Sequence, residues 1–175
     1  MRSMNYTFLP MTNAYATTLV DTWKYDNEYA IYDYVNEADH ILDAESWGTG
    51  LFAVINAEGD LIGELSIEFF DAQGQCTEYR DFGNEALINQ RELWIGFGLR
   101  PDLVGRGHGA EFVTACVDFA IRLYPYRGEY IYLGVAVFNQ RAIKAYEKAG
   151  FQIFDHVVGD IGGQTYDCVS MRKPL

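Results

Sequence analysis

The 175-residue chain sets 25 Asp and Glu against 13 Lys and Arg, a net charge of −12, and is 49% hydrophobic and 15% aromatic. That is enough apolar material for one domain to bury a real core, and it argues against disorder. The acidity and the lack of any sizeable basic cluster speak against a nucleic-acid partner; they suit a cationic one, or serve solubility alone.

In chain order, the opening MRSMNYTFLPMT has no signal-peptide-like apolar run, and no 18-residue apolar stretch follows. A cytoplasmic chain without a membrane partner is therefore expected. Tyr6 to Pro10 reads as a strand, and Asn13 as the N-cap of a helix through Leu19 to Trp23. An aromatic-rich helical stretch covers about Asn27 to Val35, and a shorter one lies near His40 to Glu45. Leu51 to Asn56 and Leu61 to Phe70 are strands around Ala57-Glu58-Gly59-Asp60, a hairpin turn by composition. Asp71 to Gln90 is polar and weakly periodic, either an excursion over the site or a floppy hairpin, the second being favoured. After a strand from Leu93, the residues Phe112, Val113, Cys116, Val117, Phe119, Ala120 and Leu123 follow helical spacing up to Pro125. Tyr130 to Val137 is a strand, Gln140 to Ala149 a helix stopped by Gly150, and Phe151 to Val157 and Gln164 to Met171 are strands. Cys76, Cys116 and Cys168 are odd in number and have no C-x-x-C spacing, so neither a disulfide framework nor a metal site is expected.

The segment most informative about function is Leu93 to Ala110, a strand that breaks into a glycine-rich turn and opens a helix. Gly105, Gly107 and Gly109 let backbone N–H groups turn toward one point, and the helix adds its positive N-terminus, a layout that holds a pyrophosphate. A P-loop fits badly because no Gly is followed by Lys and a hydroxyl residue. A dinucleotide fingerprint fits badly, since the glycines alternate and Tyr130 to Val137 carries no acid for a ribose. Gly96 and Gly98 on the strand allow close approach of a ligand or mark a bulge.

Val104-Gly105-Arg106-Gly107-His108-Gly109 resembles the acetyl-CoA loop of the GCN5-related N-acetyltransferase (GNAT) superfamily, Q/R-x-x-G-x-G/A, with Val104 in place of the usual Gln or Arg. Asn139, Ala142, Tyr146, Gly150 and Phe151 match that family's later N-x-x-A-x-x-x-Y-x-x-x-G-F block. With the order of elements, the resemblance implies one α/β domain over residues 1–175, a mixed, mostly antiparallel twisted sheet flanked by helices. It implies an acetyl-CoA-dependent N-acetyltransferase that works by direct attack of a primary amine in a ternary complex, without a metal. Phe97 and Leu99 would pair with the cofactor through their main chains, and Val104, Gly105, Arg106, Gly107, His108, Gly109 and Ala110 would surround its pyrophosphate. Asn139 would bond the cofactor's amides or only cap its helix. Arg141, Lys144 or Lys148 would reach the 3′-phosphate or form a solvated face. Tyr146 would protonate the leaving thiolate.

For the base, Glu92, at the start of the cofactor strand where several family members carry a carboxylate, is placed ahead of Glu64, which shares a face with Glu68 by period two. Trp23, Tyr25, Tyr29, Tyr32 and Asp33 form a candidate amine pocket, or else simple core. The acceptor would be a small-molecule amine or a protein amino group, and exposed strand edges are compatible with a homodimer. Two rivals remain: an acyl-CoA sensor module without turnover, and a dinucleotide-binding protein.

Overall fold

A computed structural model describes residues 4–175; residues 1–3, part of the opening segment considered for a targeting signal, lie outside it. Seven strands, β1 (Thr7–Pro10), β2 (Leu51–Ile55), β3 (Leu61–Phe70), β4 (Glu92–Leu99), β5 (Tyr130–Ala136), β6 (Gln152–Ile161) and β7 (Gln164–Pro174), form one sheet in the order β1-β2-β3-β4-β5-β7-β6. Every neighbouring pair is antiparallel except β4 and β5. That parallel pair is also the weak seam, joined in register only at Leu93 with Ile131 and Trp94 with Tyr132. Beyond Trp94 the two strands part, while β5 stays paired with β7 from Tyr130 to Ala136. The expected mixed, mostly antiparallel sheet is what forms.

Helices α1 (Asn13–Thr22), α2 (Ala38–Ile41), α3 (Glu85–Ile88), α4 (Gly109–Leu123) and α5 (Gln140–Lys148) complete the fold. Period-two alternation divides the apolar side chains between the two sheet faces. On one face Phe112, Val113, Cys116, Val117 and Ala120 of α4 pack on Leu65, Ile67, Ile95, Ile131 and Leu133. On the other, Ala16, Leu19 and Val20 of α1 cover Leu51, Ala53 and Ile55. Each Val, Leu, Ile or Phe among these contributes about 1.5–3 kcal/mol when fully buried, so α1 and α4 are held chiefly by these stripes rather than by helix propensity. Among the described residues no helix is long and apolar enough to cross a membrane.

The structure departs from expectation at several local points. Thr12, not Asn13, caps α1: its backbone is extended and its hydroxyl accepts from the Tyr15 N–H at 3.2 Å, whereas Asn13 is already helical. The stretch expected as a helix over Asn27 to Val35 is two 3₁₀ turns, Asn27–Tyr32 and Tyr34–Glu37. Asp33 interrupts them by accepting from the Tyr25 N–H at 2.8 Å, which ties the segment down by its middle. The helix expected near His40 to Glu45 divides into α2 and a 3₁₀ turn at Ala44–Ser46.

The favoured floppy hairpin over Asp71 to Gln90 is instead a folded segment. Thr77 N–H donates to the Phe69 carbonyl at 2.7 Å, and Asn84 caps α3 by accepting from Leu87 N–H at 3.1 Å. Phe82, 1% exposed, packs on Phe69 and Tyr124, and Ile88 is fully buried. β6 and β7 each outrun their expected ends: β6 stays paired with β7 up to the two-residue turn Gly162-Gly163, and β7 stays paired with β5 as far as Pro174.

Candidate active site

Three hydrogen bonds fix the direction of the β4 backbone. Arg100 N–H donates to the Ile62 carbonyl at 2.9 Å, Ile67 N–H to that of Gly50 at 2.7 Å, and Thr77 N–H to that of Phe69 at 2.7 Å. In an antiparallel ladder the polar groups alternate between the partner strand and the opposite edge. Trp94, Gly96 and Gly98 therefore bond to β3 at Glu68, Ser66 and Glu64, while Phe97 and Leu99 point toward the β5 edge. There β5 has already parted from β4. Tyr25 donates its hydroxyl to the Leu99 carbonyl at 2.8 Å, which leaves the Phe97 N–H and C=O and the Leu99 N–H facing a slot. The expected main-chain positions are thus brought to one open strand edge.

The slot runs to the glycine loop. Gly105 at φ +76° and Gly107 at φ +85° occupy the left-handed region, which glycine enters without steric penalty. The helix α4 opens at Gly109, and its first N–H groups have no intrahelical acceptors. They and the helix dipole aim partial positive charge into the loop from Gly105 to Ala110, an arrangement that suits an anion. Val104 leads into the loop, Arg106 is exposed on it, and His108 keeps Nδ1 buried without a hydrogen bond among the described residues.

The helix α5 lies beside this loop, since a Cβ on Gly109 would come within 3.0 Å of the Ala145 Cβ. Asn139 caps α5 by accepting from Ala142 N–H at 3.3 Å. Arg141 stacks on the Tyr29 ring, its guanidinium carbon 3.7 Å from the centroid, and Lys144 and Lys148 are exposed. Tyr146 is half-buried, with its ring 5.5 Å from that of Phe97 and 6.4 Å from that of Phe151. Burial, followed by the neighbouring Tyr32 and Cys116, pushes its phenol well above the ordinary value, so it stays protonated.

Opposite Gly98, on the α1 face of the sheet, Glu64 is only 4% exposed. Its Oε2 accepts from the Tyr34 hydroxyl at 3.0 Å and its Oε1 from the Ser66 hydroxyl. Burial raises its pKa to about 7; the two hydroxyl donors oppose that rise, and Glu37 and Glu68 add to it. Glu68, in register with Trp94, is likewise raised by burial, with His40 opposing. A side chain at Gly98 would land on the Tyr34 hydroxyl. Gly98→Ala should therefore displace Tyr34 from Glu64 and lower stability by about 1–3 kcal/mol, as overpacking of a filled site does. Urea unfolding of the variant measures this, and an unchanged midpoint would show that Tyr34 moves aside freely.

Glu92 lies elsewhere. It is exposed at the start of β4, before the strands part, and its Oε2 accepts from the Trp94 indole N–H at 3.0 Å. Six residue steps along the strand set it apart from Gly98, roughly 20 Å.

The expected amine pocket is gathered only in part. Trp23 is core, packed edge-on to Tyr34 at 5.8 Å. Asp33 is engaged by the Tyr25 N–H, while Tyr25 itself borders the slot. Tyr29 and Tyr32 flank Phe138, at 5.8 Å and 6.3 Å between centroids. The Tyr32 hydroxyl is buried beside Asn139 and Ala136 and closes no hydrogen bond among the described residues. Ser66, Tyr34, Glu37 and the stacked pair Trp94–Tyr132, 5.4 Å apart, were not anticipated. Only the period-two run Glu64, Ser66, Glu68 hinted at them, and it said nothing of what lay opposite.

The Acetyltransferase (GNAT) family model matches residues 10–151. A chimera of the Vibrio cholerae spermidine N-acetyltransferase SpeG with hSSAT is 19% identical, with a TM-score of 0.64 over 97% of this chain and 95% of that one. The Vibrio cholerae spermidine N-acetyltransferase in complex with CoA and spermine is 20% identical, with a TM-score of 0.60 over 97% and 95%. A protein assigned only provisionally to phosphinothricin N-acetylation is 15% identical, with a TM-score of 0.64 over 98% and 99%. Comparison with curated proteins gives no significant match. At these identities the solved structures speak for the fold alone, whereas the family match spans the slot, the glycine loop and α5: the chain belongs to the GNAT acetyltransferase family, N-acetyltransferases that draw their acyl group from acetyl-CoA.

Proposed function

We propose that this chain, acting as one domain, transfers the acetyl group of acetyl-CoA to a primary amine by direct attack in a ternary complex. The observation that carries the reading is the parting of β4 from β5 beyond Trp94, which opens the Phe97 main chain between the glycine loop and Tyr146. Acetyl-CoA supplies the acetyl group and a thiolate leaving group. The amides of Gly105 to Ala110 would hold its pyrophosphate, with Arg106 adding a charge-assisted bond. The Phe97 and Leu99 main chains would align its pantetheine arm as an added strand, and the Phe97 N–H would polarise the thioester carbonyl as its oxygen gains charge. Tyr146 would donate to the departing sulfur.

Glu64 is the better base than Glu92. It lies across β4 from the slot, and its raised pKa lets it hold the amine's proton near neutral pH. Glu92 is exposed and bonded to Trp94 at the closed end of the seam. The acceptor would approach over Gly96, which is exposed, toward Glu37, Glu64 and Glu68. Those carboxylates suit a cationic amine, a class that includes the spermidine used by proteins of this fold.

Calorimetric titration with acetyl-CoA and with NAD, then a thiol assay for CoA release over a panel of spermidine, cadaverine, tyramine, lysine and a short peptide, tests the reading. Micromolar acetyl-CoA binding, no NAD binding and release that depends on the amine are expected. Acetyl-CoA binding with no release by any amine would move the assignment to a sensor module, and NAD binding without acetyl-CoA binding would overturn it.

A further inference from the structure

The carboxylate best placed as base is sealed. Both Glu64 oxygens are occupied by hydroxyl donors, and the side chain is 4% exposed, so an amine cannot touch it directly. The two donors differ in one decisive respect. Tyr34 is itself buried, at 7% exposure, and fills the space over Gly98; Ser66 is only half-buried.

Ser66 stands in register with Gly96 across the β3–β4 ladder. A Cβ at Gly96 would meet nothing within 4 Å except the Ser66 Cβ at 3.8 Å, so the space above that residue is open up to Ser66. The next residue, Phe97, turns its main chain to the slot on the other side of β4. Neighbouring strands lie about 4.8 Å apart, so an amine resting over Gly96 is within reach of both the Phe97 edge and the Ser66 hydroxyl.

We propose that Ser66 is a catalytic residue that carries the proton of the attacking amine to Glu64. The inference rests on the transferase reading with Glu64 as base. As the N–C bond forms and the C–S bond breaks, the Ser66 oxygen accepts a proton from the amine nitrogen and passes its own to Glu64 Oε1. Tyr146 gives its proton to the thiolate, and solvent restores it. Glu64 releases its proton to solvent once the amide has left, so amine and thioester become amide and thiol with no other reactant. The titratable groups around Glu64 are Tyr25 and Tyr34 from the 25–37 segment, Glu37 from the same segment, Glu68 on β3 and Cys116 on α4.

The test compares Ser66→Ala, Ser66→Thr and Glu64→Gln over a pH range, with acetyl-CoA and the fastest amine of the panel. Ser66→Ala should lower kcat by about 10²-fold, leave the KM for acetyl-CoA unchanged, and stay low at about pH 9. Ser66→Thr, which keeps the hydroxyl, should recover most of the rate. If Ser66 only tuned Glu64 by its hydrogen bond, Ser66→Ala would shift the low-pH limb upward and regain the full rate at about pH 9, and the relay would be overturned. A normal rate and limb in Ser66→Ala beside an impaired Glu64→Gln would overturn the relay alone. Normal behaviour in both would overturn Glu64 as base, and the relay with it.

Discussion

Tyr146→Phe should lower kcat by about 10²–10⁴-fold while the acetyl-CoA dissociation constant measured by calorimetry stays within experimental error of the parent's. The substitution removes one oxygen from a half-buried ring that packs on Phe97 and Phe151, so its packing persists. Burial and two neighbouring side chains act on the hydroxyl, with no hydrogen bond to it among the described residues, so its removal strands no protein partner. What disappears is a donor beside the strand edge where the thioester would lie, and a leaving thiolate needs that donor only as charge develops on sulfur. The effect should therefore fall on kcat rather than on binding. Burial keeps the phenol protonated across the neutral range, so kcat should show no descending limb from this group up to about pH 10. An unchanged kcat in Tyr146→Phe would remove Tyr146 as the acid. A weakened acetyl-CoA affinity with kcat intact would make it a binding residue.

What the sequence disclosed, and what it hid, follows from how far apart the interacting residues lie. The glycine loop, the cap at Asn139 and the Tyr146 spacing are written within short contiguous segments, where left-handed glycines, caps and helical periodicity act locally. The strand edge at Phe97 and Leu99 was also anticipated, through the family resemblance carried by the loop that follows it. The seam beyond Trp94 was not legible, since it is a register between β4 and β5 with the whole of α4 between them. Glu64 shows the same limit. Its neighbour Ser66 could be read from alternation, but the Tyr34 hydroxyl arrives from a 3₁₀ turn 30 residues away. Without that turn Glu64 would be one more strand carboxylate, and Glu92, nearer the motif in sequence, looked the better choice. The Asp71 to Gln90 segment was misjudged because its order rests on Phe82 and Ile88, two apolar anchors in a polar run with no periodicity to announce them.

Glu64→Gln should impair catalysis and stabilise the fold together. The base must be ionised to take the amine's proton, so in the parent enzyme kcat/KM should rise with pH through about 7, the value to which burial raises this carboxyl. Glutamine cannot accept that proton; kcat should drop by about 10²-fold or more, and the limb near neutrality should vanish. Stability moves the other way. Between the ordinary value of 4.5 and about 7 the folded protein keeps a proton on Glu64 that the unfolded chain has lost. The stability owed to this group is therefore full below about pH 4.5, declines as pH rises through that window, and is gone above pH 7. The amide introduced by Glu64→Gln stays neutral at every pH and can still accept a hydroxyl donor, so the variant escapes the penalty of a buried charge. Thermal melts should show the variant close to the parent at about pH 4.5 and more stable at about pH 8, by an amount on the order of 1–3 kcal/mol. A stability difference that does not change between those two pH values would mean that Glu64 titrates as an ordinary solvated carboxylate. A lost rate without the pH-dependent gain would then point to Glu64 as a group that positions the acceptor, whereas both changes together mark a strained base whose burial serves turnover at the expense of stability.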